Sequence, residues 1–251
     1  MTTARKQRLD LLLVAKHLAE SREKAQALVM AGQVLVNGQR AAKPGQSISE
    51  DCRIEVIRPL PFVSRAGAKL AAALDQFGID AAGKVCLDVG ASTGGFTDCL
   101  LQRGAARVYA VDVGTGQLDW KLRNDPRVVV REGINARYLR FEDIGEPVDL
   151  AVCDVSFISA TLILPTLVPL LRRHGAMVVL VKPQFEVGRG QVGKGGIVRD
   201  PKLHRASCER VEAAARALGL RTAIMESPLP GAEGNKEFLL YARHEDDRNH
   251  L

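Results

Sequence analysis

The chain has 251 residues, 46% of them hydrophobic and 25% charged, with a formal net charge of +6. This composition excludes collagen-like, disordered and disulfide-scaffold chains, and it supplies apolar residues enough for a sizeable core. The charge is uneven: residues 1–60 hold ten Lys and Arg against six Asp and Glu, the remainder 25 against 23, so a small basic head on a near-neutral body predicts a polyanionic partner.

From Arg8 to Leu18 apolar residues recur at helical spacing. Ser21 stands as the N-cap of a second helix over Glu23–Ala31, which turns Ala25, Leu28 and Val29 inward, and Gly32 sits where a C-cap belongs. Val34-Leu-Val36 predicts a strand, Asn37-Gly38 a tight turn, and Ile48 and Ile54–Ile57 further strands. Two short helices followed by Gly-x-Val-x-Val-Asn-Gly resemble the S-four-type RNA-binding domain. The matching residues are Arg8, Leu9, Asp10, Ser21, Arg22, Ala25, Gly32, Val34, Val36, Asn37 and Gly38. The resemblance implies that Arg5, Lys6, Arg8, Arg22 and Lys24 lie on one helical face against RNA phosphates. Arg58-Pro-Leu-Pro-Phe62 excludes helix and predicts a domain over 1–58, a linker over 59–63 and a larger domain over 64–251.

The larger domain alternates strand and helix. Strands are predicted at Val85–Val89, Arg107–Asp112, Arg127–Val130, Val148–Cys153 and Ala176–Val181, with helices at Thr97–Arg103, Leu118–Leu122, Leu162–Arg172 and Pro201–Leu218. Two last strands, Arg221–Glu226 and Glu237–Arg243, flank a loop rich in Pro and Gly. The fold class is therefore α/β, a mostly parallel sheet covered on both faces and closed by an antiparallel hairpin. The apolar runs Leu162–Leu171 and Ala176–Val181 are too short to cross a bilayer, and the N-terminus has no apolar signal region, so a cytoplasmic location and no membrane partner are expected. Cys52, Cys86, Cys99, Cys153 and Cys208 form no Cys-x-x-Cys pair and predict reduced thiols and no metal site. His174 and His204 are expected to face solvent or cap helices.

The first strand of this domain runs into Asp88-Val-Gly-Ala-Ser-Thr-Gly-Gly-Phe96, which is neither a Walker loop nor Gly-x-Gly-x-x-Gly. Its glycines admit a ligand at the strand's C-terminal edge, and Asp112, ending the second strand, suits the hydroxyls of a ribose. Together they point to an adenosine-type cofactor. Four ionisable residues stand near element ends: Lys69, Asp154, Lys182 and Glu237. In a parallel sheet Asp154 and Lys182 share an edge, and a final antiparallel strand begins on that same edge and brings in Glu237.

This Lys-Asp-Lys-Glu order resembles the catalytic tetrad of FtsJ-type 2′-O-ribose RNA methyltransferases. With the basic head, the whole chain resembles the TlyA family of rRNA 2′-O-methyltransferases, which also carries a hemolysin label. Further matches are Asp112-Val-Gly-Thr-Gly-Gln-Leu118, Asp154-Val-Ser-Phe-Ile-Ser159 and Gly234-Asn-x-Glu237; Ala66 and Pro230 depart from the family's usual Gly and Lys. The resemblance implies a Rossmann-like class I methyltransferase sheet with a small N-terminal α+β RNA-binding domain. It implies S-adenosyl-L-methionine as cofactor, held by Gly90, Ala91, Ser92, Phe96, Asp112, Asn135 and Asp154. The implied partner is rRNA or a ribosomal subunit, and the target a cytidine of large-subunit rRNA, with small-subunit rRNA as a further candidate.

In-line displacement needs the ribose oxygen about 3 Å from the methyl carbon and its proton removed. Lys182 is read as general base or oxyanion stabiliser. Asp154 would orient it and hold the cofactor amine, while Lys69 and Glu237 fix the hydroxyl. A lysine takes a proton only in its neutral form, which burial and a second lysine favour and two carboxylates disfavour. Arg65 is expected to touch RNA, and Glu186–Gly196, with five glycines, to form a mobile RNA-facing lid with Arg189 and Lys194 near phosphates. The competing readings are a non-catalytic ribosome-assembly factor, a membrane-lytic hemolysin and, on fold alone, an NAD-dependent oxidoreductase. The oligomeric state is left open.

Overall fold

In the computed structural model, which describes residues 6–56, 61–231 and 233–244, the chain divides into two units, Met1–Leu60 and Pro61–Leu251. The first unit contains β1 (Lys6–Arg8), α1 (Leu9–Ala15), α2 (Arg22–Met30), β2 (Val34–Val36), β3 (Gln39–Arg40), β4 (Ser47–Ser49) and β5 (Ile54–Val56). Strand β1 pairs with β4, and β2 lies between β3 and β5. Its core is Leu9, Leu13, Ala25, Val29 and Val34. Ser21 caps α2 by accepting a hydrogen bond from the Lys24 amide, and Asn37 and Gly38 both take positive φ in the turn after β2.

Asp10 is fully buried in this unit, and its carboxylate accepts from Arg8 Nε and Nη2 at 3.0 and 2.8 Å, Arg22 Nε at 3.1 Å and Gln26 Nε2 at 3.0 Å. The Arg8 hydrogen bond is the main cause of a carboxyl held well below its ordinary range. The expectation of one basic helical face is thereby corrected. Lys6 and Arg8 stand on β1, Arg8 and Arg22 are joined through a buried acid, and Lys24 pairs with Glu20. Arg5 lies outside the described residues.

The second unit opens with α3 (Arg65–Phe77), which the sequence reading left unassigned. Leu70, Ala73 and Leu74 give it a buried stripe, and Gly78 closes it in the left-handed region at φ 64°. Then come β6 (Val85–Val89), α4 (Gly95–Gln102), β7 (Arg107–Asp112), α5 (Trp120–Arg123), β8 (Val128–Glu132), α6 (Phe141–Ile144), β9 (Val148–Cys153) and α7 (Leu164–Leu167). The unit ends with β10 (Leu171–Val181), α8 (Pro183–Glu186), α9 (Pro201–Ala217), β11 (Leu220–Glu226) and β12 (Phe238–His244).

These strands form a seven-stranded sheet in the order β11-β12-β10-β9-β6-β7-β8, and β12 runs antiparallel to both its neighbours. One face packs on Leu164, Leu167, Val211 and Ala215, the other on Leu70, Leu74, Leu100 and Leu101. The single helix expected over Leu162–Arg172 is corrected. A 3-10 turn at Ala160–Leu162, the four residues of α7 and a second 3-10 turn at Val168–Leu170 take its place, and β10 starts at Leu171. Pro165 and Pro169 supply the cause, since each lacks an N–H donor and restricts the residue before it.

Cys86, Cys99, Cys153 and Cys208 are buried, Cys52 is half-buried, and all five are free thiols. Burial pushes Cys86, Cys99 and Cys208 up to about 12, which removes them as nucleophiles. Among the described residues no helix is long and apolar enough to cross a membrane.

Candidate active site

Strand β6 lies between β7 and β9, so the chain leaves its C-terminal end in one direction and that of β9 in the other. This divergence opens a crevice of the kind that binds ligands in α/β sheets. The crevice is a cavity of about 580 Å³ lined by Gly90 and Ser92 after β6, Asp112 at the end of β7, Asn135 after β8 and Asp154 to Ile158 after β9. Gly90 has φ 82°, and a Cβ there would stand 2.4 Å from the Asp154 carbonyl oxygen. Ser92 also takes positive φ, and its amide donates to Asp112 Oδ2 at 2.7 Å while the Gly114 amide donates to Oδ1 at 2.7 Å. Each carboxylate oxygen retains acceptor capacity for a ribose hydroxyl. Gly90→Ala is expected to weaken cofactor binding at least about 10-fold by calorimetry, since the left-handed backbone alone costs about 1–2 kcal/mol and the clash adds to it. Unchanged affinity in that variant would count against the crevice as the cofactor site.

A smaller cavity of about 190 Å³ shares Gly90, Ser92, Asp154 and Ser156 with the first and adds Ser64, Phe96 and Lys182. Lys182 Nζ lies 2.6 Å from Asp154 Oδ1 and donates to Ser156 Oγ at 2.9 Å. Asp154 Oδ1 is buried and takes no well-directed hydrogen bond, so charge is what holds it to Lys182. Lys69, from α3, pairs with Glu237, and both are buried. In the antiparallel ladder Val181 stands opposite Phe238, so one further step sets Lys182 across from Glu237. The four residues thus form two ion pairs, Asp154–Lys182 at the ends of β9 and β10 and Lys69–Glu237 between α3 and the start of β12, and the second pair lines neither cavity.

The other predicted residues fall into three groups. Ala91 is buried and lines the smaller cavity. Phe96 packs in the core with Leu70 and Leu100 and, like Ala91, lines the smaller cavity and not the larger crevice. Asn135 lines the crevice, but its Oδ1 accepts from the Arg137 amide at 3.0 Å, leaving the amide nitrogen for a ligand. Arg65 is exposed and reaches the Pro230 carbonyl at 3.5 Å. Lys194 is exposed in the glycine-rich segment; the side chain of Arg189 lies outside the described residues. Buried Asn235 grips that segment, accepting from the Val198 amide and donating to the Gly196 carbonyl, both at 2.9 Å. His204 corrects its expectation: it is buried, with Nε2 2.8 Å from the Val198 carbonyl.

Sequence reasoning missed three residues. Ser156 anchors Lys182; it stands within the matching Asp154–Ser159 motif, but the motif alone does not tie its hydroxyl to Lys182. Phe157 is 91% exposed at the edge of the crevice, adopts φ 66° and lies with its ring centroid 5.3 Å from that of Phe185. A non-glycine residue there stores about 1–3 kcal/mol of strain, a pattern that clusters at functional sites.

The third is Asp88, fully buried on β6, with Oδ2 accepting from Thr97 Oγ1 at 2.7 Å and Oδ1 without a partner. Desolvation pushes its carboxyl up to about 7, with Asp154 adding to the rise. Between about pH 4 and pH 7 the native carboxyl keeps a proton that the unfolded chain has lost, so stability falls as pH rises through this window. The loss is on the order of 4 kcal/mol. Asp88→Asn should abolish the slope in denaturant unfolding; an unchanged slope would refute the assignment.

The crevice fits S-adenosylmethionine: the Gly90 cradle admits a ligand against the backbone, Asp112 offers a braced acceptor, and Val113, Ile134 and Ile158 supply apolar walls. Among the described residues no three or more His, Cys, Asp or Glu gather as metal ligands.

Residues 62–244 match the family of FtsJ-like methyltransferases and residues 7–53 the S4 domain. The 16S/23S rRNA (cytidine-2′-O)-methyltransferase TlyA of Mycobacterium tuberculosis is 51% identical over 248 residues, covering 98% of this chain and 92% of that protein. The 23S rRNA (cytidine-2′-O)-methyltransferase TlyA of Campylobacter jejuni is 32% identical, covering 91% and 96%. A solved structure from Streptococcus thermophilus, described as a hemolysin, superposes with a TM-score of 0.74 at 45% identity, covering 97% and 90%.

Proposed function

The chain belongs to the FtsJ-like methyltransferase family and is an S-adenosylmethionine-dependent RNA methyltransferase, and from that premise we propose that it methylates the 2′-hydroxyl of a cytidine in rRNA with Lys182 as general base. The observation that supports this most is the wall shared by the two cavities, where the Lys182–Asp154 pair stands between the braced Asp112 crevice and the smaller pocket. S-adenosylmethionine supplies an electrophilic methyl group on a sulfonium. The protein's residues supply position and proton transfer, which displacement at a weakly acidic hydroxyl requires.

Asp112 holds the ribose of the cofactor, and Gly90 lets it approach the backbone. As the neutral amine, its own proton released to solvent beforehand, Lys182 takes the hydroxyl proton; as the ammonium paired with Asp154 it steadies the oxyanion, and Asp154 and Ser156 fix its Nζ in either form. The buried Lys69–Glu237 pair, which the β10–β12 register sets beside Lys182, completes the tetrad in this reading by steadying the hydroxyl's side of the site. Exposed Phe157 offers an aromatic face on which an unpaired base stacks. RNA phosphates are met by Arg65 and Lys194 and by Lys6, Arg8, Arg22 and Lys24 of the S4 domain, with Asp10 holding Arg8 and Arg22 in fixed orientation.

The proposed substrate is large-subunit rRNA, which both named relatives modify, with small-subunit rRNA, which one of them also modifies, as the second candidate. Transfer of labelled methyl to isolated ribosomal subunits, followed by nuclease mapping, tests this. Label on a cytidine ribose of the large subunit is expected. Label on a base overturns the reaction class, and label confined to the small subunit overturns the substrate.

A further inference from the structure

We propose that Glu186 is a positioning residue for methyl transfer, clamping the segment after β9 to the segment after β10 so that Lys182 keeps its orientation. Glu186 closes α8, four residues beyond Lys182, and is 4% exposed. Its Oε2 accepts from Ser159 Oγ at 2.6 Å and its Oε1 from the Ala160 amide at 2.7 Å, while its own carbonyl accepts from Arg210 Nη1 at 2.8 Å. Its backbone is therefore tied to α9 and its side chain to residues 159–160.

Between this clamp and the Asp154–Lys182 pair the two segments touch twice more, Ser156 with Lys182 and Phe157 with Phe185. The contacts run in register along both segments, from 154 with 182 to 159–160 with 186. A strained conformation such as that of Phe157 persists only where its surroundings over-determine it. The clamp at residues 159–160 fixes the far end of that turn. A carboxylate is expensive to bury and is tolerated when hydrogen-bonded. Both donors here are neutral, and a glutamine in its place satisfies one of them and turns an amide N–H toward the other.

The inference rests on the reading of Lys182 as the group acting on the hydroxyl. A displacement of about 1 Å at a reacting group costs roughly 100-fold in rate. Glu186→Gln is therefore expected to lower kcat about 10- to 100-fold, with the KM for ribosomal subunits and the calorimetric Kd for S-adenosylmethionine little changed and the melting temperature lowered by a few degrees, as one unsatisfied buried donor requires. Ser159→Ala, which removes one of the two bonds, should give a smaller fall with the same split. Unchanged kcat in both variants overturns the proposal. So does a parallel loss of kcat, cofactor affinity and melting temperature, which marks a purely structural role. Lys182→Ala is assayed beside them: full activity there removes the reading of Lys182 itself, whereas an inactive Lys182→Ala with unaffected Glu186→Gln removes only the clamp.

Discussion

Lys182→Ala is expected to lower methyl transfer by roughly 100- to 10,000-fold, the range that general-base catalysis supplies, while calorimetric binding of S-adenosylmethionine persists. The split follows from geometry. Lys182 lines the smaller cavity and is not among the residues of the larger crevice, so its removal leaves the Asp112 and Gly90 contacts in place. Lys182→Arg separates two roles. A guanidinium keeps the positive charge beside Asp154 but does not give up its proton near neutrality. Loss of activity in both variants supports proton abstraction; activity retained in Lys182→Arg alone assigns Lys182 to oxyanion stabilisation. Full activity in Lys182→Ala refutes either role.

Lys69→Met carries the largest expected effect on folding. Lys69 and Glu237 pair in the buried interior between α3 and the start of β12, and removing the amine leaves an uncompensated carboxylate. Breaking such a pair destabilises by about 3–5 kcal/mol, whereas replacing both partners with apolar groups is often neutral or stabilising. Lys69→Met should therefore lower the stability measured by denaturant unfolding, and Lys69→Met with Glu237→Leu should restore it while methyl transfer stays absent. A double variant that recovers activity would show the pair to be structural only. A single variant as stable as the parent would show that Glu237 finds another partner.

The strands that carry the site are legible because their apolar runs end abruptly in glycine or in a charged residue. Asp88-Val-Gly, Asp112, Cys153-Asp154 and Val181-Lys182 all announce a strand's C-terminal edge, and parallel topology then gathers them. What escaped has identifiable physical causes. Helix α3 follows a proline-rich stretch and is built from small residues, although Leu70, Ala73, Leu74 and terminal Gly78 already held its signal. Apolar continuity over Leu162–Arg172 concealed the interruption by Pro165 and Pro169. The S4 arginines read as a free cationic face because sequence alone does not reveal that Asp10 is buried beneath two of them. The left-handed turn at Phe157 is imposed by tertiary contacts and has no counterpart in residue type.

Asn235 stands two residues before Glu237 and grips both Gly196 and Val198. The ribbon of glycines is consequently tethered at its rear to the loop that leads into the Glu237–Lys69 couple. Two features far apart in the chain, residues 196–198 and the Glu237–Lys69 couple, thereby hang from one short stretch of backbone.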